Sequence, residues 1–600
     1  MSTHAGPVAE AETRDLVNPS EHTAVLWDGT EIFYRAWTPA RPTGRAMILF
    51  HRGHEHSGRF VDVVRALGLE DVAVFAWDQR GHGRSPGERG HASSFAHVVR
   101  DIDSFIGHVC AAHHKRLEDV VVLGHSVGAV AVTTWVHDYA PPIRAMVLAT
   151  PAFRVKLYVP LAIPGLRLLQ RLRGRGKAFI KSYVKAKMLT HDPEQARAYD
   201  DDPLIARSIA VNILLDLFDT SRRIVADAGA IRTPTLLLAG GSDWVVHVST
   251  QARFFARLGS PTKRMQIFDG MYHDILHEKD RHLVLDEVRR FVGDAFGQPR
   301  PDDPLLDADA AGYTCNEHQR LCRPLPLMSL RRCRFTVQRL AMRTLGRLSD
   351  GIRLGWETGF DSGRTLDYVY ENQPRGRWLI GRAIDRAYLD SPGWRGIRQR
   401  RLHLQQLLRD AIRETMQRTS ERPIRILDVA AGSGRYVLDV LGEFEQDAVS
   451  ATLRDDQHAN LEAGRRLAES RGLCQAMFEQ GDAFDAASLA GVQPGPHIVI
   501  VSGLYELFPA NEPVLRSLDA IARAVRPPGY LICTGQPWHP QLEMIARVLV
   551  NRNGQPWIMR RRTQAELDAL LRAAGFEKQR MLIDADGIFT VSLAARRENA

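Results

Sequence analysis

Cysteine is scarce: Cys110, Cys315, Cys322, Cys333, Cys474 and Cys533 are the only six in 600 residues. That is too few for a disulfide framework, and no spacing gives the paired C-x-x-C of a zinc site, so they read as reduced thiols. Long apolar runs are missing as well. No segment approaches the roughly 18 uninterrupted apolar residues of a membrane span, and the opening MSTHAGPVAEAETRDLVNPSE lacks the basic start and apolar core of a secretory leader. The expectation is a cytoplasmic chain, soluble or peripheral at the inner face of the membrane. There is no internal repeat. What is present is ordinary for a folded protein: 44% apolar and 25% charged residues with 47 Gly and 31 Pro, which excludes collagen-like, prion-like and wholly disordered chains. The net charge of +9 permits an anionic partner without requiring one. The length exceeds what one hydrophobic core sustains, about 250–300 residues, so two domains are expected.

The pattern divides the chain accordingly. Residues 1–20 read as a disordered start. Over 21–297, short apolar and β-branched runs (Ala46–Phe50, Val72–Ala76, Val120–Leu123, Ala145–Ala149, Thr235–Ala239, Met265–Phe268) alternate with helix-length amphipathic stretches, the signature of a mainly parallel sheet wrapped by helices. Between about 151 and 230 the rhythm breaks into helical, basic and apolar sequence without a strand, as in a cap over an active site. Residues 298–327, rich in Pro, Asp and Gly, read as the linker. A helical lead-in follows over 328–420, including a possible lid at Trp356–Tyr368. A second α/β unit over 421–600 has strand-like runs at Ile424–Leu427, Ala448–Thr452, His497–Val501 and Tyr530–Thr534.

The run Gly124-His125-Ser126-Val127-Gly128 follows a strand and opens a helix, which is the setting of a nucleophile elbow. Small residues two positions either side of Ser126 let strand and helix approach, while the helix N-terminus favours nearby negative charge. A serine hydroxyl is a poor nucleophile at neutral pH and needs a base and a group that orients the base. Asp243, after the Thr235–Ala239 strand, and His273, after Met265–Phe268, lie downstream in the Ser…Asp…His order of α/β-hydrolases.

The stretches Leu49–Phe60 (LFHRGHEHSGRF) and Asp78–Gly90 (DQRGHGRSPGERG) resemble the monoacylglycerol lipase and lysophospholipase branch of that fold over roughly 22–295. The resemblance implies an oxyanion hole built from the amides of Gly53 and Val127. Arg52 departs from it, standing where the motif usually has glycine. His51, His54 and His56 have the residue types of a metal site, but no further partner follows at short spacing and no metal is expected.

In the second unit, Ile424–Tyr436 (IRILDVAAGSGRY) is a strand, a small-residue loop and a helix start. A lone glycine-rich loop binds many nucleotides. Asp455, past the next strand, is placed to accept two ribose hydroxyls, and Asp482 suits an adenine amino group. Together these resemble class I (Rossmann-like) S-adenosylmethionine-dependent methyltransferases over about 400–598, with cofactor contacts implied at Asp428, Ala430, Gly432, Gly434, Asp455 and Asp482. Ala430 replaces the commonest first glycine. A dinucleotide-binding domain is the alternative, disfavoured because the loop lacks G-x-G-x-x-G. Tyr505, Glu506, Gln536 and His539 follow later strands and are candidates for the methyl acceptor's site, with packing and turn roles as the competing reading.

Two basic, apolar segments remain. From Arg154 to Lys187 ten cations occur with no acid, interleaved with Leu157, Tyr158, Leu161, Leu168 and Leu172, a composition suited to an anionic bilayer surface or to a solvated cap helix. A similar stripe runs from Leu330 to Leu348: Leu330, Cys333, Val337, Leu340, Ala341 and Leu348 share one helical face, with Arg332, Arg339, Arg343 and Arg347 mostly away from it, and packing of that face on the second domain is the preferred reading. No nucleic-acid module is evident. The fold expected is α/β in two domains, an α/β-hydrolase with a helical cap followed by a class I methyltransferase, as in bacterial bifunctional proteins that this chain resembles. The expected function is a serine ester hydrolase, with a lipid or small-molecule ester as substrate, joined to an S-adenosylmethionine-dependent methyltransferase. Acyl transfer in place of hydrolysis, or one half serving as a noncatalytic membrane-associated module, stays open.

Overall fold

The computed structural model describes residues 18–39, 43–182, 184–299 and 305–597. Most of the start expected to be disordered lies outside them, and the first strand already begins at Ser20. The chain forms two compact units, the first running to 301 apart from 138–140, the second from 302. Among the described residues no helix is long and apolar enough to cross a membrane.

Among the described residues the first unit has ten strands: β1 (Ser20–Val25), β2 (Glu31–Trp37), β3 (Ala46–Phe50), β4 (Ala73–Trp77), β5 (Val120–His125), β6 (Ala145–Ala149), β7 (Phe179–Lys181), β8 (Ser208–Ala210), β9 (Thr235–Gly240) and β10 (Lys263–Phe268). Eight of them form one sheet in the order β1-β2-β4-β3-β5-β6-β9-β10. β1 and β2 are antiparallel at one edge, and from β4 to β10 the pairings are parallel. Every residue of β3, β4 and β6 is buried, because the crossover helices of a parallel sheet cover both of its faces. The result is an α/β-hydrolase fold. The insertion between β6 and β9 does contain strands, contrary to expectation: β7 and β8 pair as a separate antiparallel ribbon, Phe179 opposite Ala210. Three residues per strand are too few to show a period of two in sequence.

The second unit opens with helices and then forms a seven-stranded sheet. Its strands are β11 (Ile424–Val429), β12 (Val449–Asp455), β13 (Ala476–Gln480), β14 (Ile498–Val501), β15 (Tyr530–Gly535), β16 (Phe576–Ile583) and β17 (Thr590–Arg596), in the order β13-β12-β11-β14-β15-β17-β16. β17 runs antiparallel to both of its neighbours, β15 and β16, and the other pairings are parallel. This is the mixed, mainly parallel sheet of a Rossmann-like methyltransferase. The long Pro392–Arg418 helix buries Leu404, Leu407, Leu408, Ala411 and Ile412 against Ile424, Ile426 and Ile498, which anchors the helical lead-in to the sheet.

Two expectations about this unit need correction. The supposed linker 298–327 holds a helix, Tyr313–Cys322, with Thr314, Cys315 and Leu321 buried. It is tied down by Arg561 Nε donating to Glu317 Oε2 at 2.5 Å and by Arg560 Nη2 donating to Thr314 Oγ1 at 3.3 Å, partners more than two hundred residues away that local composition does not reveal. The apolar face expected to pack inward from the Leu330–Arg343 helix points outward instead: Leu330 is 89%, Val337 60% and Leu340 61% exposed, while Phe335 is 5% exposed. The aromatic ring, which has more surface to bury than any of those side chains, takes the inward position with Met342 beside it.

Candidate functional site

In the first unit Ser126 sits at the end of β5, directly before the Val127–Tyr139 helix, with φ +54°. Glycine is required on both sides for a steric reason. A Cβ on Gly124 would lie 2.5 Å from Ala129 Cα, and one on Gly128 would lie 2.5 Å from the carbonyl oxygens of Phe50 and His51. The turn can be this sharp only because those atoms are missing.

Three side chains contributed by separate loops meet there. Ser126 Oγ lies 2.8 Å from His273 Nε2, and His273 Nδ1 lies 2.8 Å from Asp243 Oδ2. The other carboxylate oxygen of Asp243 accepts the backbone N–H groups of Val245 at 2.7 Å and Val246 at 2.9 Å. Burial alone would raise the Asp243 carboxyl, but His273 and the two amides outweigh it and hold the pKa below the ordinary value. Thr150 Oγ1 donates to the His273 carbonyl at 2.9 Å and fixes the loop that carries the imidazole. A Cβ on Gly53 would stand 3.2 Å from Val127 Cγ2, so the two candidate oxyanion residues are neighbours.

Arg52 is buried rather than disruptive. Its guanidinium meets Glu55 Oε1 at 2.9 Å and Asp274 Oδ2 at 3.7 Å, and it lies over the Tyr199 ring at 4.7 Å. Burial works against its charge, yet Glu55, Tyr199 and Asp274 outweigh burial and raise its pKa above the usual arginine value. Asp274, next in chain to His273, is hydrogen-bonded to His277 at 2.8 Å. This ionic cluster joins the loop that contains Gly53 to the loop carrying His273. Its link from Arg52 to Asp274 spans more than two hundred residues, which local pattern does not reveal.

The second unit encloses a cavity of about 560 Å³ at the carboxyl ends of its parallel strands, where open α/β sheets bind ligands. Ala430, Gly432, Gly434, Asp455 and Asp482 line it. Ala430, Gly432 and Gly434 all have positive φ, at +57°, +60° and +64°. A Cβ on Gly434 would come within 1.9 Å of Leu453 Cδ2, whereas no atom of the described residues lies within 4 Å of the Cβ position of Gly432. Asp455 accepts from the Gly432 amide at 2.8 Å, the Gln457 amide at 2.9 Å and Asn460 Nδ2 at 2.9 Å, which presses the loop against the end of β12. Asp482 Oδ1 accepts the Phe484 amide at 2.9 Å.

Two of the sequence candidates turn away from the cavity. Asp428 is fully buried beneath the loop, with the Tyr436 hydroxyl donating to both its oxygens at 2.7 and 2.8 Å. Burial, opposed by that hydroxyl and reinforced by Asp455, pushes its pKa up to about 8. Tyr505 is core, its hydroxyl 3.0 Å from Ser517 Oγ in the apolar layer of β14 and β15; an aromatic ring on a one-turn segment buries more area inward than it would at the cavity wall.

Glu506, Gln536 and His539 do line the cavity. Thr534 Oγ1 donates to Glu506 Oε1 at 2.7 Å, and His539 Nδ1 accepts the Gln541 amide at 3.0 Å, leaving the proton of the neutral ring on Nε2. Burial pushes His539 down to about 4. Among the described residues, the buried atoms Glu506 Oε2, Gln536 Nε2, Arg400 Nε and Trp557 Nε1 have no hydrogen-bond partner. Groups of this kind are costly unless something satisfies them. Around them the wall is apolar, with Met342, Phe360, Trp394, Met544 and Phe589. The segment read as a possible lid supplies Phe360, Asp361, Gly363 and Leu366 to that wall. Arg400 and Trp557 were invisible to motif reading, since one lies mid-helix and the other in an irregular loop.

Residues 41–280 match the family described as "Serine aminopeptidase, S33", and residues 288–596 match the family described as "Putative methyltransferase". The "Uncharacterized protein YnbC" of Escherichia coli is 49% identical over 97% of this chain and 99% of its own length. The "Monoacylglycerol lipase" of Mycolicibacterium smegmatis is 30% identical over 46% of this chain and 96% of its own. The "Monoglyceride lipase" of Homo sapiens is 29% identical over 42% of this chain and 82% of its own. The chain thus joins a serine-hydrolase-family domain to a methyltransferase-family domain. With a match over residues 288–596, more than half of its length, it belongs to the family described as "Putative methyltransferase".

Proposed function

We propose that the protein is a bifunctional enzyme, a serine ester hydrolase for lipid-like esters joined to an S-adenosylmethionine-dependent methyltransferase. The observation that carries the first activity is the relay from Asp243 through His273 to Ser126, with 2.8 Å at each step. Ser126 Oγ attacks the acyl carbonyl as His273 Nε2 takes its proton. Asp243 holds the Nδ1 proton in place and stabilises the imidazolium. The amides of Gly53 and Val127 receive the negative oxygen, a contribution typically worth several kcal/mol. His273 returns the proton to the leaving alcohol, and water then releases the acid by the same steps in reverse. Relatives named for monoacylglycerol and monoglyceride support an acylglycerol-like ester. So does the Ala162–Arg173 helix, which buries no residue and exposes Leu168 and Leu172 at 57% and 76%.

For the second activity, the donors and shape of the second cavity fit S-adenosylmethionine. Gly432 leaves room for close approach to backbone, while Asp455 and Asp482 would hold the ribose and adenine. The bound cofactor would supply an electrophilic methyl group on a sulfonium sulfur. Glu506 Oε2 and Gln536 Nε2, an acceptor and a donor without partners among the described residues, would orient a polar group of the methyl acceptor, and the apolar wall would hold its body. The test is incubation with methyl-labelled S-adenosylmethionine and a bacterial lipid extract, in parallel with ester hydrolysis by Ser126→Ala. Label in the organic phase and hydrolysis lowered at least about 10³-fold are expected. Unchanged hydrolysis would overturn the first assignment, and absence of label from the organic phase the lipid acceptor.

A further inference from the structure

The outward face of the Leu330–Arg343 helix belongs to a larger surface. Leu327, Met328 and Leu330 are exposed at 79%, 97% and 89%, and Leu345, in the turn that follows the helix, at 64%. A second segment lies at the same edge: the Arg377 amide donates to the Leu348 carbonyl at 2.8 Å, and Ser349 bridges Gly376. There the helix Trp378–Leu389 begins with three consecutive large apolar residues in water, Trp378 at 75%, Leu379 at 82% and Ile380 at 64%. Trp378 has φ +56°, a left-handed conformation that a bulky residue keeps only where its surroundings enforce it. Scattered single apolar residues on a surface need no explanation, but a cluster of this kind marks an interaction site.

The charge says what kind. Residues 318–349 contain eight arginines and residues 372–384 three more, with no aspartate or glutamate in either stretch. All but Arg339 are exposed. Arg331 and Arg375 pair with Glu543 and Glu371; among the described residues Arg323, Arg347, Arg377 and Arg382 show no acidic partner. A surface of arginines framing Trp, Leu, Ile and Met needs negative charge and hydrocarbon at once. An anionic lipid bilayer offers both, with tryptophan at home in its interfacial layer. We propose that this helical face of the second unit binds the surface of an anionic membrane. The inference rests on neither of the proposed chemistries and concerns a segment separate from the basic stretch at 154–187.

The test is flotation of the full chain with vesicles of phosphatidylcholine alone or with about one third phosphatidylglycerol. The wild type is expected to float with the anionic vesicles and not with the neutral ones, and added salt should release it. Arg347→Glu/Arg377→Glu/Arg382→Glu should lower partitioning at least about a hundredfold. Trp378→Ser/Leu379→Ser/Ile380→Ser should lower it at least about tenfold. Leu168→Ser/Leu172→Ser, altering the other basic segment, should leave most of the binding. Circular dichroism checks folding, and Leu327→Ser/Met328→Ser repeats the apolar test away from any helix. The proposal is overturned if the wild type does not float, if it floats equally with neutral vesicles, or if the folded variants bind as the wild type does. It is also overturned if the wild type is a dimer that the Trp378 triple variant makes monomeric, since the surface would then be covered by a second copy.

Discussion

Arg52 Nη2 and Glu55 Oε1 stand 2.9 Å apart with both side chains buried, on either side of the candidate oxyanion residue Gly53 in the chain. Removing the cation leaves Glu55 and Asp274 as buried acids short of a partner, a change that typically costs about 3–5 kcal/mol. Arg52→Met is therefore expected to lose about that much stability, measured by urea unfolding, and to lower ester hydrolysis because the Gly53 loop loses its tether. A variant as stable as the wild type would show that the ion pair is not structural.

Ala430 holds φ +57°, where an L residue is disfavoured by about 1–2 kcal/mol and glycine is not. Because glycine also loses more chain entropy on folding, Ala430→Gly should stabilise the second unit by roughly 1 kcal/mol or less. Its thermal unfolding midpoint should rise by a few degrees.

Asp428 and Asp455 are expected to part company on substitution. Asp428 lies under the loop, and burial raises its pKa to about 8, so it is largely protonated at neutral pH. Asp428→Asn replaces a neutral acid by a neutral amide and should leave S-adenosylmethionine affinity within a few-fold in calorimetry. Asp455→Asn removes an acceptor that lines the cavity and also holds the Gly432 amide. Affinity there should fall at least about tenfold, the effect of losing roughly 1.4 kcal/mol.

Burial lowers His51 and His125 to about 4 and His54 and His82 to about 3, all in the first unit. In the unfolded chain these rings titrate near 6.5. A lowered histidine favours the native state while neutral; below 6.5 the unfolded chain takes up protons that the folded unit refuses. Stability should be flat above about pH 7 and decline as pH falls from 6.5 toward 4, by roughly 1 kcal/mol per ring at pH 5.5. Urea midpoints at pH 7.5 and 5.5 check the sign. Equal midpoints would mean the rings are hydrated or protonated in the native state.

The α/β pattern was legible because parallel strands buried on both faces leave continuous apolar runs such as Ala46–Phe50 and Val120–Leu123. Three edge strands were not: β1, β13 and β16 mix polar with apolar residues and leave no continuous apolar run to read. Ser126, Asp243 and His273 sit at strand ends in a recognisable order, so their candidacy could be read before their contacts were known. Gly432 and Asp455 could be read in the same way, from a loop and an acid following successive strands.

Side-chain direction was a different matter. Asp428 and Tyr505 stand in the right stretches but point into the core, and the Leu330–Arg343 helix turns Phe335 inward and its aliphatic stripe outward. Local pattern determined which segments are strands, which turns are tight enough to need glycine, and where nucleophile, base and acid fall along the chain. Which way a helix rolls, whether Arg52 finds Asp274, and which polar atoms are left without partners around the second cavity depend on residues far apart in the chain. Only the packed structure brings those within the few ångströms over which hydrogen bonds, ion pairs and dispersion act.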